Sequence, residues 1–274
     1  MRTVYLGTSQ FAAAVLELLA RTEHRPALVV TRPDRPAGRG RRLSPPPVAR
    51  LARELGIALD QPEDVGAAPA RERIAAAEPD VVVVCAFGAI LREPLLSEHE
   101  LLNIHPSLLP RWRGAAPIER AMIAGDRETG VSIMRVTAGL DSGPVCLQQA
   151  ERIGDDDTYG TLAPRLEALG AMLLVRALEE RPPFAPQDEA AATYAEKIGA
   201  DERTLDPAAP VEHSERVVRA LHPHIGARMA LEDGTLIGVL RAHVEDGRLV
   251  PDEVRPPGGR PMPYADYLRG RRDG

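Results

Sequence analysis

Apolar and polar positions along the chain follow two alternating periods. TVYLGT (3–8) and PALVVTR (26–32) are short apolar runs that read as strands. Between them QFAAAVLELLA (10–20) repeats its apolar residues near the spacing of one helix face. VARLARELG (48–56) reads as a helix that starts after three prolines and stops at Gly56, and a further helix fits 66–77. DVVVVCAF (80–87) is an unbroken, valine-rich run, as expected of a strand covered on both faces. LLNIH (101–105), APIERAMIAG (116–125) and GVSIMRV (130–136) continue as strand, helix and strand. This rhythm predicts an α/β fold with a doubly wound, Rossmann-like, mostly parallel sheet. Functional groups are then expected at the carboxyl ends of strands, beside a switch in strand order.

Residues 158–180 form a long helical pattern, with a cap signal at Thr158 and Pro164 in its body. RPPFAP (181–186) breaks it, which places the domain boundary in 181–206. The expected division is a main domain over 1–187, a linker over 188–206 and a small β-rich domain over 207–274. In that small domain a helix (211–222) precedes two Asp-Gly turns, at 233–234 and 246–247, which join three short strands into a meander. A final helix fits 264–272. No internal repeat is visible.

Composition changes this picture in three places. Of 274 residues 44% are apolar but only 3% aromatic, so the core must be built from Ala, Val, Leu and Ile. The net charge of −6 makes no global case for nucleic acid, yet Arg32, Arg35, Arg39, Arg41, Arg42, Arg50 and Arg53 crowd into residues 31–53 with Asp34. Such a local cluster can meet phosphate inside an acidic protein. Lys197 is the one lysine in a chain that otherwise uses arginine, a hint of a site that suits a compact ammonium. Cys85 and Cys146 sit in no spaced metal pattern and make no disulfide framework, so a reducing, cytoplasmic setting is expected. No signal peptide is visible, and the longest apolar run (81–91) is too short to span a bilayer.

The candidate chemistry lies in LNIHPSLLPRWRG (102–114). In a strand, residues two apart share a face, so Asn103 and His105 point the same way, and Pro106 disfavours continuation. An amide beside an imidazole can hold a developing oxyanion. Asp141, in the glycine-flanked TAGLDSGPV, is the candidate acid to orient the imidazole. The blander alternative makes Asn103 a turn cap and His105 a satisfied strand-end histidine. Arg111 and Arg113 could face phosphate or a carboxylate, or lie on a solvated loop. GTSQFAAAVL has one glycine near its bend, so a dinucleotide fingerprint is absent. His222 and His224 lack a third metal ligand and read as a loop after a helix.

NIHPSLLPRWRGAAPI together with ETGVSIMRVTAGLDSGPV resembles the signature of the folate-dependent formyltransferases. GTSQFAAAVL, TRPDRPAGRGRRLSPPPV and TYAEKI (193–198) resemble further blocks of the methionyl-tRNA branch, in the same order, so the likeness spans most of residues 1–206. By resemblance the catalytic trio is Asn103, His105 and Asp141, and the folate-contacting signature is Ser107, Leu108, Leu109 and Pro110. The basic loop with Arg35, Arg39, Arg41 and Arg42 would meet the acceptor end of a tRNA, as would Lys197 in the linker. Phe11 would line the substrate pocket, against the alternative of a core phenylalanine. The implied reaction moves a formyl group from 10-formyltetrahydrofolate to the amino group of methionyl initiator tRNA, with no metal, no membrane and no obligate protein partner. Either Asn103 and a protonated His105 hold the oxyanion while Asp141 takes the amine proton, or His105 is the general base. The alternatives are the same folate chemistry on an amino-sugar nucleotide or glycinamide ribonucleotide, and a silent RNA-binding protein on this scaffold. One departure stands out: the family's C-terminal barrel is here cut to a truncated, OB-like remnant without net positive charge.

Overall fold

The computed structural model describes residues 1–37 and 42–272, so Arg39 and Arg41 lie outside the described residues. The chain packs as two units. The first comprises Met1–Arg113, Gly130–Glu151 and Pro164–Thr193; the second comprises Gly114–Thr129, Arg152–Ala163 and Tyr194–Gly274. Neither is one continuous stretch, and the expected linker at 188–206 is shared between them.

The first unit is built on a seven-stranded sheet. Its spatial order is Val145–Arg152, Glu128–Arg135, Leu101–His105, Val81–Cys85, Thr3–Gly7, Leu28–Val30 and Ala58–Asp60. Thr3–Gly7 is parallel to both Val81–Cys85 and Leu28–Val30, and Leu101–His105 is parallel to Val81–Cys85. From Thr3–Gly7 the chain moves outward to one edge, then restarts at Val81–Cys85 and moves toward the other. That reversal is the switch point at which an α/β sheet opens a crevice outside its carboxyl ends. There Thr8 Oγ1 donates to the Phe87 carbonyl at 2.7 Å. Leu101–His105 pairs antiparallel with Glu128–Arg135 on its other side.

Valine and leucine carry the sheet, as the scarcity of aromatics required. Val4, Leu6, Val30, Val82, Leu95 and Leu101 share one buried cluster. Each such side chain contributes about 1.5–3 kcal/mol by leaving water. Helix Gln10–Leu19 starts where the Ser9 hydroxyl accepts from the Ala12 amide at 3.2 Å. Helix Pro47–Glu54 uses proline in its first turn, where no amide partner is lost.

Two sheet strands have no counterpart in the sequence pattern. Ala58–Asp60 is three residues long, too short for a period to show. Val145–Arg152 is an edge strand whose residues are half-buried or exposed, so it lacks the apolar run of an inner strand. The basic segment 33–43, expected as a loop, carries a short antiparallel pair, Arg35–Ala37 with Arg42–Ser44.

Helix Tyr159–Glu180 runs through Pro164 without ending there. On it, the half-buried Glu167 carboxyl is pushed up to about 7 by burial. A raised carboxyl favours the protonated folded state, so its stabilising effect is full below about 4.5 and is lost as pH rises through 7. Glu167→Gln is therefore expected to leave the melting temperature unchanged at pH 4.5 and to raise stability at pH 8. The gain should be roughly 1 kcal/mol, discounted for the solvent that still reaches the group. Equal effects at both pH values in thermal melts would remove this account.

The second unit has its own core. Val217, Val218 and Leu221 of helix Val211–Leu221 pack with Leu205, Ala227 and Val239, and Ile123 of helix Pro117–Ala124 joins them. Arg216 Nε donates to the Ile123 carbonyl at 2.9 Å, and His224 Nε2 lies 2.8 Å from Glu119 with its ring stacked on Tyr159. His224 thus belongs to this packing. The meander is present, with left-handed Gly234 and Gly247 at its two turns. Its strands are Ala227–Ala230, Leu236–Glu245 and Arg248–Arg255, and a fourth, Met262–Pro263, completes the antiparallel sheet. The middle two are longer than the short strands expected. A fold of residues 207–274 alone would be marginal; helix Pro117–Ala124, from the middle of the chain, enlarges the core.

Candidate active site

Strand Leu101–His105 positions the first two groups. Asn103 is paired with Met134 and His105 with Ser132 across the antiparallel neighbour, so both project from one face at the carboxyl end. Asp141 comes from the loop after Glu128–Arg135, held in the left-handed region at φ 44. Such a conformation costs a non-glycine residue about 1–3 kcal/mol and persists only where the surroundings hold it.

The three side chains converge. Asn103 Nδ2 lies 3.5 Å from Asp141 Oδ1, and His105 Nδ1 lies 3.7 Å from Asp141 Oδ2. Both spacings exceed the roughly 2.7–3.2 Å of a strong hydrogen bond, so the groups share a space without locking to one another. His105 is 4% exposed. Its Nε2 is 2.8 Å from the Trp112 carbonyl, which can only accept, so Nε2 carries a proton. Nδ1 is the nitrogen turned toward Asp141. Trp112 reaches this pose with φ 63, and its amide donates to Thr193 Oγ1 at 2.9 Å. The blander alternative, a turn-cap asparagine and a strand-end histidine, does not account for an acid brought to both.

The Ser-Leu-Leu-Pro loop is fixed from beneath. Ser107 is fully buried; its hydroxyl donates to the Arg111 carbonyl at 2.6 Å, and its own carbonyl accepts from Ser132 Oγ at 2.6 Å. The Leu109 amide donates to Ser132 Oγ, and Gln148 Nε2 donates to the Leu109 carbonyl at 2.7 Å. Leu108 lies over Gly130, where an added Cβ would come within 2.5 Å of its Cδ2. Leu109 and Pro110 line an open cavity of about 280 Å³ with Val145, Cys146 and Pro186. Ser107 thus acts inside the loop, and the apolar wall comes from the leucine and proline. Burial pushes the Cys146 thiol up.

The remaining candidates are dispersed. Phe11 is 6% exposed within the apolar side of helix Gln10–Leu19, a placement that suits the core alternative. Arg35 and Arg42 are exposed on the short hairpin and form no ion pair among the described residues. Lys197 is exposed, and the Glu196 carbonyl beside it accepts from Arg120 Nε at 3.0 Å. Arg111 stacks over Trp112 at 4.5 Å. Of the alternatives for Arg113, phosphate, a carboxylate or solvent, the structure supplies the carboxylate: its side chain is 2% exposed and forks onto Glu189 at 2.9 and 2.7 Å. Ser132, Gln148 and Gln187 are absent from the sequence-based candidates, because a lone polar residue in a strand or after a proline run carries no periodic or motif signal. Among the described residues, the one group with metal-ligand spacing is Glu23, His24 and Glu179, and it includes none of the trio. No helix among the described residues is long and apolar enough to cross a membrane.

Several known proteins are similar to this chain. The family model described as formyl transferase matches residues 1–178. The methionyl-tRNA formyltransferase of Halorhodospira halophila is 46% identical over 99% of this chain and 96% of its own length. That of Methylococcus capsulatus is 43% identical over 98% and 96%. Among solved structures, methionyl-tRNA formyltransferase from Clostridium thermocellum superimposes with a TM-score of 0.68 over 94% of this chain and 99% of that one; at 14% identity, this shows the shared fold. On the family model and on these full-length identities, the chain belongs to the formyl transferase family, among the methionyl-tRNA formyltransferases.

Proposed function

We propose that the chain transfers the formyl group of 10-formyltetrahydrofolate to the α-amino group of methionyl initiator tRNA, the step that prepares the initiator for translation. The observation that carries this reading is the convergence of Asn103, His105 and Asp141 in one site of a chain whose full-length relatives bear that activity in their names. An α-amino group has a reference pKa near 8, so a usable neutral fraction exists at about neutral pH without a strong base. As the amine bonds to the formyl carbon, charge builds on the formyl oxygen. Asn103 Nδ2 and His105 Nδ1 are the donors for that oxygen, the latter as an imidazolium because Nε2–H is already committed to the Trp112 carbonyl. Asp141 faces the ring as a carboxylate and then takes the proton released by the amine. As the oxyanion collapses, the bond from the formyl carbon to folate N10 breaks and that proton passes to N10, so tetrahydrofolate leaves neutral. The donor set suits a formyl carbonyl attacked by an amine, and Leu109 with Pro110 offers an apolar wall to a flat pteridine.

Arg35 and Arg42 stand exposed, which leaves their forks for tRNA phosphate. Arg39 and Arg41 extend the same basic segment in the sequence, and Lys197 adds an ammonium in the linker.

The deciding experiment incubates the protein and 10-formyltetrahydrofolate with methionyl initiator tRNA, elongator tRNA and an amino-sugar nucleotide in separate reactions. Formylated initiator is the expected product. Product on the sugar alone would overturn the tRNA assignment, and no product on any acceptor would overturn the enzyme. In the same assay Arg35→Glu/Arg42→Glu is expected to weaken tRNA binding. It should also flatten the dependence of log Kd on log salt by roughly 1 for each phosphate that the variant no longer neutralises. An unchanged slope would place these arginines outside the interface.

A further inference from the structure

We propose that Gln187 and Arg113 form a positioning relay that shapes the Asp141 loop for catalysis, an inference that rests on the reading of Asp141 as the acid of the transfer. Gln187 Nε2 donates to two carbonyls of that loop, Asp141 at 2.8 Å and Gly143 at 2.7 Å. These bonds bracket the turn that follows the left-handed Asp141 and aims its carboxylate at Asn103 and His105.

An amide can do this only in one of its two orientations. Turned over, Gln187 would set its oxygen against two carbonyl oxygens. Arg113 selects the orientation. Its Nε donates to Gln187 Oε1 at 3.0 Å, and a guanidinium has no acceptor to offer, so the oxygen of Gln187 must face Arg113 and the NH2 must face the loop. Glu189 holds the guanidinium in turn through both terminal nitrogens, and Arg113 holds the Glu189 carboxyl below the usual range. The residue before Arg113 supplies the carbonyl that takes the Nε2 proton of His105. One short stretch, Trp112 and Arg113, therefore sets the ring of His105 directly and the carboxylate of Asp141 through Gln187. Gln187 lines the cavity beside Leu109 and Pro110, but its amide is spent on the loop and on Arg113, so both residues act on catalysis through Asp141.

Three variants in the full chain test this. Gln187→Leu removes both donors and keeps the volume. Gln187→Glu keeps the acceptor for Arg113 but presents oxygen to the loop. Arg113→Lys keeps the charge and loses the fork. The expected result for both Gln187 variants is a fall in kcat of roughly 10- to 100-fold, with KM for tRNA within about threefold of the parent. The pH profile of kcat should change shape, and amide hydrogen exchange at 139–143 should speed up by about tenfold or more. Arg113→Lys should fall between. A folded Gln187→Leu with parental kcat and parental exchange overturns the relay, as does failure of both Gln187 variants to fold, which would make the pair a folding element. Asp141→Asn in the same assay separates the two claims. If it retains parental turnover, the assignment of Asp141 falls, whereas the exchange measurement still reports whether Gln187 shapes the loop. If it is inactive while the Gln187 variants are normal, the relay alone falls.

Discussion

Asp141→Asn is expected to lower kcat/KM for formylation by roughly a thousandfold, and Asn103→Ala and His105→Ala by about a hundred- to a thousandfold each. Charge and position set these values. The amine must lose a proton as it acquires the formyl group, and an asparagine at 141 offers no base. It also removes the negative charge beside His105, although the backbone loop is unchanged. Asn103 is the donor whose position depends least on others, since it sits within the strand and is paired on both sides. A single lost oxyanion donor is worth about 2.7–4 kcal/mol in a site closed to water. His105 combines a donor with the charge. Because the three act on one developing charge, their effects should not multiply: Asn103→Ala/His105→Ala should lose far less than the product of the singles. Single-turnover formylation at saturating folate, alongside thermal melts, reads these values. Parental turnover in any one variant would remove that residue from the mechanism.

Gly143→Ala is expected to disable the site without touching any of its functional groups. A Cβ at 143 would sit 1.8 Å from the Arg135 carbonyl oxygen and 3.0 Å from its carbon. No rotamer relieves a clash with backbone, so either strand Glu128–Arg135 or the Asp141 loop must move. The loop is the weaker member: it carries the left-handed Asp141 and is tied by the two bonds from Gln187. Its displacement would break the Gly143 bond and carry the carboxylate away from His105. The expected outcome is a stability loss of about 3 kcal/mol or more, with formylation reduced at least as far as by Gln187→Leu. Gly56→Ala is the control, because no heavy atom lies within 4 Å of its added Cβ, although its φ of 65 adds local strain. A Gly143→Ala protein that melts and turns over like the parent would show that the loop has more room than its geometry implies.

Much of this fold is legible along the chain because its inner strands are local apolar runs. Leu101–His105 matches its expected span to the residue, and the helices Gln10–Leu19 and Tyr159–Glu180 match theirs to within one at each end. Both Asp-Gly turns fall where a left-handed glycine is required. What escapes the pattern has a common cause. Val145–Arg152 is held by its neighbour in the sheet more than by its own hydrophobicity. Helix Pro117–Ala124 looks like one more crossover, although its Ile123 serves the core of the second unit.

The trio is legible for a different reason. Asn103 and His105 share a face by strand geometry alone, and Asp141 sits in a glycine-flanked acidic loop directly after the next strand. A carboxylate is among the expected partners of Arg113, but its burial is not legible, because an arginine in a basic, proline-bounded loop resembles a surface cation. Its charge is met by Glu189, 76 positions on.

The chain by itself therefore determined the secondary structure of the inner sheet and pointed to the residue types of the candidate centre. These follow from backbone dihedrals and from apolar spacing, which act over a few neighbouring residues. The tertiary structure alone decided which polar atoms meet. Gln187 finds the Asp141 carbonyl across 46 positions and Arg113 across 74, and whether such a pair forms depends on how every intervening element packs. A hydrogen bond needs its partners placed within a fraction of an ångström, and that precision exists only once the core has closed around them.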